Sequence, residues 1–169
     1  MSSIFKEDTL PYRVSQYLGH VAAALTFLVA ALHLFHPSHG LERLVLLLSV
    51  DPGLLLAVPR PALFVLSGLG FVVAVPAVLI GVPKRPLYLL GIILMTTYIV
   101  GYFAWHLTGH GGFLPGREPL YHGLQPHVAV ITHLVGDPWA AAAVISESLL
   151  AGVLAVLYRR KGSPRPAPG

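Results

Sequence analysis

The chain contains no cysteine and no asparagine, and its charged residues are scarce. Without cysteine, disulfides, thiolate metal sites, iron–sulfur clusters and cysteine nucleophiles are all excluded. Only 11% of the 169 residues are charged, whereas a soluble domain carries about 25%. Because 55% of the residues are hydrophobic, the composition indicates a protein whose surface does not meet water everywhere.

The motifs of several enzyme classes are missing as well. The chain has no P-loop, no dinucleotide-binding glycine motif in a βαβ context, no G-x-S-x-G elbow and no HExxH pair. An enzyme is therefore the least favoured class. The formal net charge of +4 does not indicate nucleic acid, since the basic residues cluster at the ends of apolar runs, where a membrane accounts for them.

Four apolar runs approach the ~20 residues that cross ~30 Å of hydrocarbon. Their residues do not alternate with a period of two, so a membrane β-barrel is excluded and helices remain. The predicted spans are residues 14–35, 61–82, 87–107 and 139–158, within one membrane domain of residues 14–158. We expect an all-α integral membrane protein, a four-transmembrane-helix antiparallel bundle in the lipid bilayer.

The basic residues predict the orientation of these helices. If both termini are cytoplasmic, eight of the 11 Lys and Arg residues lie inside, and only Arg43, Arg60 and Arg117 lie outside. This predicts a multi-pass protein of the cell membrane. Its N-terminal segment, residues 1–13, is then cytoplasmic, as is a disordered, basic and Pro-rich tail, residues 159–169.

The two long loops, residues 36–60 and 108–138, then form a His-rich outer cap. The first loop holds two short apolar runs and is interpreted as a re-entrant or interfacial hairpin. The second loop is predicted to end in a short helix from Pro126 to Leu134, because proline suits the first position of a helix.

Histidine is concentrated on the outer side of this topology. Of the nine histidines, His20 alone lies toward the cytoplasm; the others are His33, His36, His39, His106, His110, His122, His127 and His133. One hypothesis is a b-type haem held by His33 and His106, which lie at matching depth. The other is Zn or Cu(II) bound by imidazoles, with His33, His36, His106 and His110 as ligands.

The spacing of residues in the third span supports a binding site but does not distinguish a haem from a metal ion. Tyr98, Tyr102, His106 and His110 follow one another at intervals of four, which places them near one helix face. His106 and His110 form a metal-binding H-x3-H pair if the helix continues through Gly109. The alternatives are an aromatic belt at the membrane interface, scattered polar groups, or a pH sensor.

Glu147 lies within the fourth predicted span, where a carboxylate is costly and is a functional-site hypothesis by default. It is either a protonated, hydrogen-bonded link between helices, or a proton-handling or ion-coordinating group beneath the histidines. Tyr98 and Tyr102, at similar depth in the third span, are candidate members of the same buried polar group.

Three apolar stretches carry a family resemblance: "PALFVLSGLGFVVAV", "RPLYLLGIILMTTYIVGYFAWH" and "LLAGVLAVLYRR". Together they resemble a family of small four-helix integral membrane proteins of unknown function from halophilic archaea. The resemblance covers the second to fourth helices and, more weakly, the first. It implies a four-span membrane protein and brings no activity or catalytic residue.

The sequence thus favours a non-enzymatic membrane protein that binds a metal or a b-type haem at its outer face. The alternative is an accessory or structural membrane subunit without a ligand, whose histidines are interfacial polar groups. A partner membrane protein or a homo-oligomer is compatible with either hypothesis.

Overall fold

The structure, a computed structural model, describes residues 9–113, 116 and 118–160. Arg117 and parts of the predicted terminal segments, residues 1–8 and 161–169, lie outside this description. The described residues form helices and no strands. The helices are α1 (Thr9–Leu34), α2 (Leu41–Val50), α3 (Leu54–Ala57), α4 (Arg60–Leu79), α5 (Lys84–Leu107), α6 (Pro126–Gly136) and α7 (Pro138–Arg160).

Four of these helices are long and apolar enough to cross a membrane: Arg13–Leu34 within α1, and the whole of α4, α5 and α7. The predicted all-α class and its four membrane-length helices are therefore confirmed. The helix ends differ slightly from the predicted spans. Polar residues extend α5 and α7 beyond their apolar runs, whereas α4 ends at Leu79, shortly before the chain turns at Gly81, whose φ is +97°.

The long helices pack in a definite order. α1 contacts α4 and α7, and α7 also contacts α5. Gly68 allows the first of these contacts, because a Cβ there would lie 2.7 Å from Leu34 Cγ. Gly91 does the same between α5 and α7, where a Cβ would lie 2.7 Å from Leu154 Cδ1. Small residues at such positions let membrane helices approach closely.

The apolar part of the buried core is small. It contains Ala22, Val29, Ala30, Phe71, Met95, Leu150, Leu154 and Leu157. Large apolar side chains elsewhere point outward, among them Leu66, Val73, Leu90, Val100 and Leu149, each more than half exposed. A soluble monomer rarely exposes large contiguous apolar patches, so the outer faces of these helices suit lipid.

The short helices lie at the ends of the long ones. α2 packs against α4, and α3 contacts both α2 and α4, which turns the predicted apolar hairpin into two short helices. Between them, Gly53 N donates to Asp51 Oδ1 at 2.8 Å. α6 packs against α5 and α7. The predicted short helix is confirmed, with Pro126 at its start, and it extends to Gly136.

Candidate metal centre

The site begins where α5 stops. α5 ends at Leu107, and the next residues turn with left-handed backbone: φ is +66° at Gly109, +55° at His110 and +91° at Gly111. The helix therefore does not continue through Gly109, as a helical H-x3-H pair would require. The turn nevertheless brings the His110 ring to 5.2 Å from the His106 ring, measured between centroids.

Glycine is required in this turn for steric reasons. A Cβ on Gly111 would overlap the ring of Trp105, and a Cβ on Gly109 would lie 2.7 Å from Leu120 N. Glycine also adopts the left-handed conformation without the steric penalty of a side chain. The Gly-His-Gly order of residues 109–111 is thus what folds His110 back toward the end of α5.

His133, which the sequence did not single out as a ligand, completes a group of three. Its ring lies 5.0 Å from that of His106 and 4.8 Å from that of His110. One ring nitrogen from each of His106, His110 and His133 lies within 4.8 Å of the other two. The contact of α6 with α5 makes this meeting possible, and no spacing in the sequence indicates it.

Two of these imidazoles are held by their own helices. His106 Nδ1 lies 2.9 Å from the Tyr102 carbonyl oxygen, and His133 Nδ1 lies 2.7 Å from that of Ala129. A carbonyl only accepts, so each Nδ1 carries the hydrogen and donates it. In the neutral ring Nε2 then keeps a free lone pair. Metal-binding histidines commonly have this arrangement, in which the second nitrogen is bonded to a carbonyl or carboxylate.

The third imidazole has an unsatisfied buried nitrogen. His110 Nε2 is buried without a hydrogen-bond partner among the described residues. Burial lowers the pKa of His110, and the neighbouring imidazoles of His106, His133 and His122 lower it further. An unpartnered buried polar atom costs about 1–3 kcal/mol, and a bound cation would remove that cost.

A fourth imidazole lies beside the group. The His122 ring is 5.1 Å from the His110 ring and 6.0 Å from the His133 ring, between centroids, and its side chain is exposed. Its backbone φ is +52°. The hydrogen bond from Leu120 N to the Gly109 carbonyl, 2.9 Å long, keeps this part of the loop against the end of α5.

Charges of both signs surround the imidazoles. The Arg60 guanidinium lies 3.5 Å from the centre of the Trp105 ring, and its charge contributes to the lowered pKa of His110. Asp137 is the helix cap of α7, because its Oδ1 accepts from Trp139 N at 2.9 Å and from Ala140 N at 3.2 Å. Its carboxylate acts electrostatically on His36 and on His106, and it would offset part of a bound cation's charge.

His33 lies in a different environment, inside the helix packing. It is 1% exposed, and its Nε2 lies 2.9 Å from Oε1 of Glu147, which is 3% exposed. Its ring stacks on Phe64 at 4.9 Å and meets Tyr98 edge-on at 4.5 Å. The imidazole and the carboxylate therefore link α1 to α7, and the other ring nitrogen, Nδ1, is buried without a hydrogen-bond partner among the described residues.

His36 lies in the turn that follows α1. Its Nδ1 accepts from Ser38 N at 3.1 Å, and its ring stacks on that of His39 at 4.7 Å. Burial lowers the pKa of His36, against the effect of Asp137. Burial also lowers the pKa of His39 to about 4, with the charges of His36 and Arg60 adding to the effect.

The two tyrosines have separate roles. Tyr98 lies near His33, and its hydroxyl donates to the Leu63 carbonyl at 3.0 Å and accepts from Ser67 Oγ at 2.8 Å, which connects α5 to α4. The Tyr102 ring lies 4.3 Å from the His106 ring. Its hydroxyl is buried without a partner among the described residues. The structure thus places Tyr98 with His33 and Glu147, and Tyr102 with the histidine group.

Comparisons of the chain with family models, with curated proteins and with solved structures give no match in any of the three. The resemblance to the halophilic four-helix family consequently stays a prediction.

Proposed function

We propose that this is a membrane protein that binds one divalent transition-metal ion through His106, His110 and His133. The observation that carries the proposal is the convergence of three ring nitrogens within 4.8 Å of one another. The Nδ1 hydrogen bonds of His106 and His133, and the unpartnered Nε2 of His110, support it.

The donor set indicates the class of metal. Three neutral imidazoles suit Zn²⁺, Cu²⁺ or Ni²⁺, whereas Ca²⁺ and Mg²⁺ prefer oxygen ligands. Zn–N bonds of ~2.0–2.1 Å in a tetrahedron place the nitrogens ~3.3 Å apart. The nitrogen–nitrogen distances, at most 4.8 Å, therefore have to shorten by up to ~1.5 Å to hold the ion, a movement within reach of side chains on a turn and on a short helix.

The arrangement in the membrane follows from the helices and the basic residues. In this proposal α1, α4, α5 and α7 span the bilayer as an antiparallel bundle with both termini in the cytoplasm. Only four residues, 80–83, connect α4 to α5, and the basic ends of α5 and α7 fit the cytoplasmic side. The histidine group, at the opposite end of α5, then faces outward and receives its ion from outside the cell.

The His33–Glu147 pair has a structural role in this proposal. Its Nε2 is bonded to Glu147 Oε1, and His33 belongs to no group of three or more candidate ligands among the described residues. We therefore assign the ligand to the His106, His110 and His133 group and assign the buried pair to the contact between α1 and α7.

Metal analysis tests the proposal directly. The protein is purified in detergent without a polyhistidine tag, stripped with a chelator, and titrated with Zn²⁺ by calorimetry, with elemental analysis of the loaded protein. We expect one Zn²⁺ per chain, and less than that in His106→Ala, His110→Asn and His133→Ala. His127→Ala is the matched control, because His127 is an exposed histidine of α6 outside the group.

Two results would contradict the proposal. One is an absence of Zn²⁺, Cu²⁺ and Ni²⁺ binding by the folded wild-type protein, which would favour an accessory subunit without a ligand. The other is unchanged binding in all three variants. Absorption spectra of the oxidised and the reduced protein test the haem hypothesis separately, since a bound b-type haem gives a Soret band.

A further inference from the structure

We propose that His122 is the fourth ligand of this ion, and that it is the ligand that leaves and returns when the metal is exchanged. This inference rests on the proposed metal site. His122 is adjacent to two members of the group, with ring centroids 5.1 Å from His110 and 6.0 Å from His133. A fourth imidazole would complete the four-coordinate geometry that Zn²⁺ prefers in proteins.

The backbone singles out the same residue. Among the described residues other than glycine, only His110 and His122 have positive φ, at +55° and +52°. Each is followed by a glycine that also has positive φ, namely Gly111 and Gly123. Residues with a side chain adopt a positive φ at an energetic cost that glycine avoids. Such residues concentrate at active sites and ligand-binding sites. Both exceptions are histidines of one cluster, as expected if these turns serve to position imidazoles for a ligand.

The four histidines lie on different kinds of backbone element. His106 and His133 lie on helices and donate to carbonyls of their own helices. His122 is exposed and lies in a turn closed by the hydrogen bond from Leu124 N to the Tyr121 carbonyl, 2.9 Å long. Rotation of the His122 side chain therefore moves no helix, whereas displacement of His106 or His133 breaks a hydrogen bond.

The loop also limits how far His122 can move. Leu120 N donates to the Gly109 carbonyl, and the Tyr121 hydroxyl donates to the Leu107 carbonyl at 3.3 Å. These bonds hold the residues before His122 at the end of α5. The imidazole can leave the ion and still remain beside it, so the fourth position opens to a water molecule or to an external donor without loss of the other three ligands.

His122→Asn is the variant to compare, because asparagine tolerates positive φ and removes the imidazole. His127→Asn is the matched control. The apoprotein is loaded with Co²⁺ for absorption spectra, since four-coordinate Co²⁺ absorbs much more strongly than five- or six-coordinate Co²⁺. It is loaded with Zn²⁺ for X-ray absorption and for the rate of transfer to a competing chelator.

We expect four nitrogen ligands in the wild-type protein, and three with one oxygen in His122→Asn, at an unchanged stoichiometry. Loss of a group that only hydrogen-bonds to a metal ligand already weakens metal binding by about 10–100-fold. Loss of the ligand itself should therefore make transfer of Zn²⁺ to the chelator about tenfold faster or more. His127→Asn should match the wild type.

The outcomes separate this inference from the metal site itself. If the wild type binds one ion and His122→Asn has the same spectrum and the same transfer rate, His122 is not a ligand, and the three-histidine site stands. If His122→Asn folds but binds no ion, His122 is a permanent ligand, and its role in exchange is overturned. If the wild type binds no ion, the metal site and this inference are both overturned.

Discussion

Two histidine-containing regions of this molecule use the same side chain in opposite ways. In the interior, His33 gives its Nε2 to Glu147 and is enclosed by aromatic rings. At the end of α5, His106 and His133 give their Nδ1 to backbone carbonyls, and no carboxylate is among the converging ligand atoms. In both regions one ring nitrogen is bonded and the other has no partner among the described residues, but His33 Nδ1 is enclosed in the helix packing, whereas one nitrogen from each of His106, His110 and His133 converges with the other two.

The two regions also differ in their charges and in their burial. The His33–Glu147 pair contains its own potential counter-charge and is almost fully buried. The group of His106, His110 and His133 is only partly buried, and burial together with the neighbouring imidazoles lowers the pKa of His110. The first region links two packed helices, while the second brings three ring nitrogens within 4.8 Å of one another without a carboxylate among them.

Breaking the buried pair gives the largest expected effect on stability. Glu147→Ala or His33→Ala leaves a buried polar partner without its hydrogen bond, which costs about 1–3 kcal/mol or more. The double variant His33→Leu/Glu147→Leu should recover most of this loss, because apolar side chains replace both partners. Thermal and denaturant unfolding in detergent would measure all three proteins.

The zinc stoichiometry of the double variant tests whether the two regions are independent of each other. The folded Leu/Leu double variant should still bind one Zn²⁺, since His33 and Glu147 lie outside the metal group. Loss of zinc from this folded variant would show that the two regions act as one site.

The Gly111 turn gives an intermediate effect. Gly111→Ala forces a Cβ against the Trp105 ring at a φ of +91°, which should cost more than about 1 kcal/mol. Because the turn positions His110, zinc affinity should fall as well. Gly101→Ala in α5 is the control, since a Cβ there meets nothing within 4 Å, and it should leave both properties nearly unchanged. Calorimetry and thermal unfolding would measure the difference.

The titration of His39 gives the smallest effect. Its folded pKa is about 4, below the ordinary value of 6.5. Between these values the unfolded chain binds a proton that the folded chain does not, so acid lowers stability as pH falls from 6.5 to 4. Above that window neither state is protonated at His39.

Two measurements check this prediction. The ring resonances of His39, assigned by comparison with His39→Gln, should titrate near pH 4 in micelles. The stability of His39→Gln should change less than that of the wild type across the same window. A midpoint near 6.5 would contradict the burial of this imidazole.

Parts of both regions follow from the sequence. Glu147 and His33 are each recognisable as polar residues in apolar runs, and His106 and His110 are recognisable by their spacing of four. Their partners are not recognisable. Glu147 lies 114 positions from His33, and His133 belongs to a separate short helix, so neither pairing leaves a periodic signal.

The sequence by itself determined the four membrane-length helices, because the length and hydropathy of a run are local properties that set whether it can satisfy its backbone in lipid. It left open whether the third long helix, α5, continues through Gly109, and the structure shows that this helix ends at Leu107. Only the tertiary structure decided which histidines meet. Contacts of α1 with α7 and of α5 with α6 bring distant residues within hydrogen-bonding or ligand distance, and helix packing depends on the shapes of whole faces rather than on any one spacing.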